Sequence, residues 1–215
     1  MPSIISVNVG GPREVAWNGK AVLTSIWKEP VAGPVHAGAT NLEGDRQSDP
    51  SVHGGHDKAV YVYPSEHYPW WHGELPGLTL VWGNFGENLT TEGLTEDRVC
   101  IGDRLTIGTA EFEITQPRMP CFKLGLRFGR NDMVKRFQHS GRHGFYLRVL
   151  REGDLRRGDA VDHATGSGPR VTVRDIAALY TAKEPDEKLL RVAISLPGLS
   201  EAWRGELRTK IEGRI

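Results

Sequence analysis

Cys121 stands between Pro120 and Phe122, inside the run Gln116-Pro117-Arg118-Met119-Pro120-Cys121-Phe122-Lys123. Pro120 has no N–H to give a sheet ladder, so strand pairing ends there and the following thiol projects from the sheet rim, ahead of a turn. Arg118 and Lys123 place positive charge on both sides, which favours the thiolate. Thiolate is the form that binds soft metals or attacks electrophiles. On these residues alone a small buried hydrophobe is an equally open reading, the common fate of free cysteine. The other cysteine, Cys100, alternates inside a predicted strand and reads as core.

A second run, His53-Gly54-Gly55-His56-Asp57-Lys58, offers two imidazoles, a carboxylate and an amine around two glycines that let backbone approach a ligand. His53 and His56 with Cys121 have the types of a zinc set, although their spacing is not the helical one of zinc enzymes. Cys121, His56 and Asp57 also have the types of a nucleophile, base and orienter. The bland alternative is a turn whose histidines satisfy loop carbonyls and whose Asp57 and Lys58 form a local ion pair. Two further runs are Phe85-Gly86-Glu87-Asn88 and Ser140-Gly141-Arg142-His143-Gly144. In the first, Gly86 permits an unusual turn and Asn88 reaches either backbone or a ligand. In the second, Arg142 is presented to a phosphate or carboxylate, or is simply solvated. Trp70-Trp71-His72 suggests an aromatic wall, though core tryptophans are commoner.

The elements that must position these groups are mostly short strands. Ile4 to Val9, Ala21 to Leu23, Ala59 to Tyr63, Arg98 to Ile101, Arg104 to Ile107, Glu111 to Thr115 and Phe145 to Leu150 have strand composition, separated by Gly and Pro turns. A short helix opens at Pro64 and Ser65, and another covers Asp132 to His139 with Asn131 as its cap. After the linker 164–169, Thr172 and Asp175 start a helix as a capping box. Asp186 to Leu196 forms a second helix, and Ser200 caps a third bearing Trp203, Leu207 and Ile211. Ile211-Glu212-Gly213-Arg214 spells a protease-tag sequence and is assigned no function.

The 215 residues carry 27 basic and 27 acidic side chains, a balance that gives no global field for nucleic acid or an anionic membrane. Two cysteines are too few for a disulfide framework, and no signal segment or membrane-length apolar run is present, so a cytoplasmic protein is expected.

Taken in order, these runs resemble the MOSC family, the domain shared with the C-terminal part of molybdenum-cofactor sulfurase. The resemblance is carried by residues 53–60, 85–89, Cys100-Ile101-Gly102-Asp103-Arg104-Leu105, 116–121, 144–150 and Gly158-Asp159-Ala160-Val161. The helical tail is similar to that of the YiiM-like subgroup. The resemblance implies an α+β, mainly β fold: a MOSC-type β-barrel with flanking helices over residues 1–165, and a small three-helix unit over 166–215. It implies molybdenum on a pterin in a cleft, with Cys121 as metal ligand and catalytic residue and His56 or Asp57 relaying protons. His53, Lys58, Asn88, Arg118 and Arg142 would hold the cofactor. The implied reaction reduces N-hydroxylated compounds such as 6-hydroxylaminopurine to amines. The chain has no flavin or nicotinamide fingerprint, so electrons would come from a separate flavoprotein reductase. The alternative is a non-catalytic carrier of the cofactor, or of sulfur through a persulfide on Cys121.

Overall fold

Alternation of buried residues along Ser3–Val9 (β1), Ala110–Pro117 (β9) and Phe145–Arg151 (β10), with the wholly buried Val60–Pro64 (β6), makes these the spine of one sheet. The computed structural model describes residues 1–48 and 54–213. The remaining strands are Arg13–Trp17 (β2), Lys20–Thr24 (β3), Glu29–Pro30 (β4), Val35–Ala37 (β5), Leu89–Glu92 (β7) and Arg104–Ile107 (β8). Gly153–Leu155 (β11) and Val161–Ala164 (β12) complete the set. Eight of them form a sheet in the order β12-β8-β9-β10-β6-β7-β1-β4, antiparallel except where β6 meets β7. Backbone bonds from Ile4 N to Asp159 O (2.9 Å), Gly158 N to Ile4 O (2.8 Å) and Val161 N to Pro2 O (2.9 Å) tie β1 to the approach of β12. The sheet therefore curls round until its two sides meet, as a barrel requires.

Strand β6 is buried on both faces, and this divides the core in two. Val60 and Val62 join the aliphatic barrel interior, whereas Tyr61 and Tyr63 face an aromatic cluster with Trp71, Phe85 and Phe137. That second cluster is roofed by three helices: Tyr68–Glu74 (α1), Phe122–Phe128 (α2) and Met133–Ser140 (α3). Trp71 is an anchor of this core, its Nε1 donating to the Tyr63 hydroxyl at 2.7 Å.

The tail forms Val173–Thr181 (α4), Glu187–Ser195 (α5) and Glu201–Glu212 (α6). Thr172 and Asp175 make the expected capping box, and Asp186 and Ser200 cap the next two helices. Val173, Ile176, Leu190, Trp203 and Leu207 belong to the same hydrophobic cluster as the barrel's Val99, Ile101 and Ile114. The fully buried Asp103 carboxylate fastens the linker: it accepts from Cys100 N (2.9 Å), Gly166 N (3.0 Å), His163 Nε2 (2.8 Å) and the Arg170 guanidinium. Those donors hold Asp103 below the usual aspartate range against the opposing effect of burial.

Three local expectations need correction. Residues 98–101 turn rather than run as a strand, because Ile101 N bonds Val171 O (3.0 Å) and Val173 N bonds Val99 O (3.0 Å), leaving a single bridge at Cys100. The stretch after Cys121 is the helix α2, not a turn. The residue capping α3 is Asp132 rather than Asn131, and its carboxylate binds Arg130 and Arg136 instead of the helix backbone.

Because the tail shares the barrel's core, Leu207→Ala should cost about 2–5 kcal/mol. Urea unfolding should show one shifted transition for barrel and tail together. Two separated transitions would contradict the shared core.

Candidate functional site

An open cleft of about 90 Å³ lies beside the aromatic core, with Ile26 and Tyr61 in its lining. Strand β9 ends at Pro117, and residues 118–120 carry the chain across the rim to Cys121, whose backbone is extended (φ −119°, ψ 172°) just before α2. Cys121 lines the cleft and is partly exposed. Arg118 is buried beneath it. Its guanidinium donates to Phe85 O and lies over the rings of Tyr61 (4.6 Å) and Phe137 (5.4 Å). Arg118 thus clamps the cysteine segment to the Phe85–Gly86 loop. Gly86 sits at φ 79°, and a Cβ there would meet Ile26 Cγ1 at 3.0 Å, so the loop's close approach suits glycine.

The opposite wall rests on a buried polar network. Asn88 Oδ1 accepts from Tyr61 N (3.0 Å), and Asn88 Nδ2 donates to Asp45 Oδ2 (3.0 Å). Asp45 Oδ1 accepts from Gly10 N (2.9 Å) and from Lys28 Nζ. Burial pushes the Lys28 ammonium below its usual range, with Asp45 opposing that shift. Nearby, Glu87 is fully buried and its carboxyl is pushed up by desolvation, partly offset by Tyr68 Oη (2.5 Å), Gly83 N (2.8 Å) and Thr90 Oγ1 (3.0 Å). Tyr61 and Tyr146 line the cleft between these walls, and burial raises both phenols while Arg118 opposes the rise.

Among the described residues, four cationic side chains, Lys28, Lys58, Arg118 and Lys123, line the cleft against one carboxylate, Asp45. Lys123 Nζ reaches Ser48 Oγ at 3.3 Å. Burial lowers Lys58, with Asp57 opposing. Such a lining fits an anionic ligand, and a partly exposed thiol within it can bind a soft metal. Ser25 Oγ, also in the cleft wall, is buried with no hydrogen-bond partner among the described residues, a polar atom left for a ligand to satisfy.

Of the residues singled out from sequence, Cys121, Arg118, Lys58 and Asn88 come together here. His53 lies outside the described residues. His56 is exposed and Asp57 is ion-paired with Arg148 (2.6 Å); neither lines the cleft. The nucleophile, base and orienter set of Cys121, His56 and Asp57 is therefore not assembled. Asp57 instead pins the Lys58 turn, since its carbonyl accepts from Thr115 Oγ1 at 2.7 Å. Arg142 is elsewhere too: it donates to Ser140 O (2.9 Å) and covers Trp70 at 4.3 Å. Among the described residues no three His, Cys, Asp or Glu side chains cluster as metal ligands, and no helix is long and apolar enough to cross a membrane. Cys100 is buried in the core, and that burial raises its thiol.

Sequence reasoning missed Ser25, Lys28, Asp45, Tyr61 and Tyr146. The tyrosines carried one usable signal, because alternation opposite Val60 and Phe145 turns them away from the barrel interior. The others sit in loops and acquire meaning only through contacts distant in sequence.

The chain matches the family model of the MOSC domain over residues 49–162 and that of the YiiM-like, 3-alpha helix domain over residues 171–214. Ser25, Lys28 and Asp45 precede the first span. A Bacillus subtilis (strain 168) protein, YflK, is 39% identical over 208 residues, covering 97% of this chain and 94% of YflK. The crystal structure of YiiM from Geobacillus stearothermophilus superposes with TM-score 0.83 at 34% identity, covering 98% of this chain and 100% of that one. A Gibberella moniliformis (strain M3125 / FGSC 7600) protein named Reductase is 34% identical over 197 residues, which are 90% of this chain and 35% of that protein.

Asp45→Ala should destabilise the protein by about 3–5 kcal/mol, because it strands the buried Lys28 ammonium and two further donors. Chemical denaturation measures this directly, and a loss below about 1 kcal/mol would mean the network is not holding the wall.

Proposed function

The chain belongs to the MOSC family and carries its YiiM-like three-helix domain, and on that premise we propose that it binds a molybdenum cofactor in this cleft and reduces N-hydroxylated compounds to amines. One observation carries the reading: the Cys121 thiol opens onto a cleft whose described lining residues include four cations and one carboxylate. The residues present suit the group. Cys121 would give the thiolate to molybdenum, while Lys58, Lys123 and the unpartnered Ser25 hydroxyl would meet the pterin and its phosphate. Arg118, held by Phe85 O and two rings, would keep its charge fixed beneath the thiolate. When bound, the metal with its pterin dithiolene would supply a two-electron redox centre for reductive cleavage of the N–O bond.

The reaction balances as R–NHOH plus two electrons and two protons giving R–NH2 plus water. The N–O bond breaks, and the substrate is reduced. A reduced flavoprotein supplies the electrons and solvent supplies the protons. A relative 34% identical over 90% of this chain carries the name Reductase, which supports the reading. The protein's own work is to bind, to orient and to keep the thiolate beside fixed positive charge. The Asp45–Lys28–Asn88 network holds one wall rigid, and Asp57 holds the Lys58 turn.

The test is elemental analysis and pterin fluorescence on wild type and Cys121→Ser, both produced in a molybdenum-replete host. About one molybdenum per chain is expected in wild type, with a loss of most of it in the variant. Loaded wild type, given a chemical reductant, should convert 6-hydroxylaminopurine to adenine. Tight molybdenum binding with no conversion of any N-hydroxylated compound would replace the reductase reading with that of a cofactor carrier.

A further inference from the structure

Tyr146 follows Phe145, which is fully buried in the barrel interior, so strand alternation turns the tyrosine to the opposite face. Its ring packs against Tyr61 with centroids 5.2 Å apart, and both side chains line the cleft with Cys121. The start of the strand is fixed. Gly144 at φ 62° approaches so closely that a Cβ would lie 2.3 Å from Val62 O, and its N–H donates to the buried Glu96 carboxylate at 2.6 Å. Glu96 is itself bound to His67 Nε2 at 2.7 Å. Tyr146 is therefore held by sheet pairing and by the buried hydrogen bonds of Glu96, not by its own hydroxyl.

Four of the other protic groups lining the cleft have acceptors within the protein. Lys28 donates to Asp45, Tyr61 Oη to His143 O (2.9 Å), Arg118 to Phe85 O and Lys123 to Ser48 Oγ (3.3 Å). The Tyr146 hydroxyl has no hydrogen-bond partner among the described residues. A phenol at neutral pH is a hydrogen-bond donor, and one placed in a cleft wall with nothing to meet favours a ligand that brings an acceptor.

We propose that the Tyr146 hydroxyl donates a hydrogen bond to the N–OH oxygen of the substrate and so distinguishes an N-hydroxylated compound from its amine. The inference rests on the reductase reading of the same cleft. A site with a fixed donor favours the molecule that satisfies it and disfavours the analogue that leaves it unpaired. The same bond is lost once the oxygen departs, so the amine product is released more readily than the substrate.

Tyr146→Phe removes the oxygen and keeps the ring, and no protein hydrogen bond is lost with it. Equilibrium dialysis without reductant, on purified wild type and variant, measures the affinity of each for 6-hydroxylaminopurine and for adenine. Wild type should prefer the hydroxylamine by about fivefold to tenfold. The variant should lose that preference with adenine binding unchanged, and kcat/KM should fall by a similar factor while molybdenum content stays constant. Three outcomes overturn the role: a variant with the wild-type preference, a wild type with none, or a wild type that binds neither purine. Failure of wild type to turn over the hydroxylamine while the preference and its loss are observed would instead sink the reductase reading and leave the donor role standing.

Discussion

The Asp45 carboxylate is the constraint on which the cleft depends. It is almost completely buried, and a buried carboxylate is tolerable only when its lone pairs are used. Here they receive Gly10 N, Asn88 Nδ2 and Lys28 Nζ, from three separate stretches of chain. Asn88 passes the constraint on to strand β6 through Tyr61 N. The end of β1, the β3–β4 connection, the loop before β7 and the middle of β6 are thus fixed relative to one point of charge. The ion pair need not add net stability over an apolar filling to matter. Its role is to set where these segments lie, and a mismatched segment would leave a buried charge unpaired.

The second organising feature is a strand with two insides. In β6, Val60 and Val62 point into an aliphatic barrel while Tyr61 and Tyr63 point into an aromatic layer. A sheet that is dry on both faces has no solvated surface on which to carry a site. The site therefore forms where the aromatic layer ends, at the rim past Pro117. There Arg118 satisfies the buried Phe85 carbonyl and stacks on two rings, so its charge lies beside the cleft with most of its water already replaced.

Local signals in the sequence were reliable where local physics decides. The capping box of Thr172 and Asp175, the cap at Ser200, the helix from Asp186 and the strands β1, β6 and β10 all form as their residues require. Helix α2 was not legible, because Pro120 reads as a turn while the capping residue Cys121 makes no side-chain cap bond to announce a helix. In the site, Cys121, Arg118, Lys58 and Asn88 were legible from unusual residue types beside Pro or Gly. Lys28 and Asp45 were not: they are 17 residues apart and Asp45 lies 43 from Asn88, separations at which no periodicity connects them. Arg142 between glycines looked like a presented cation, yet the neighbouring Trp70 face and the Ser140 carbonyl take it up. A glycine frame marks freedom of the backbone, and tertiary contacts then decide where the side chain goes.

The chemistry of the donor set narrows what the cleft can hold. Among the described residues the cleft offers one thiol and no cluster of three ligating side chains, so a metal seated at Cys121 would need most of its donors from elsewhere. A bare cation would moreover meet four positive side chains against one carboxylate, an unfavourable field in a partly dry site. Both difficulties disappear for a metal that arrives inside an anionic organic ligand with its own sulfur donors. The cations would then attract the ligand, the single thiolate would complete the coordination, and the fold would need to present only one cysteine. That is why the positive lining and the solitary thiol, each unremarkable alone, argue together for a pterin-bound metal rather than a protein-bound ion.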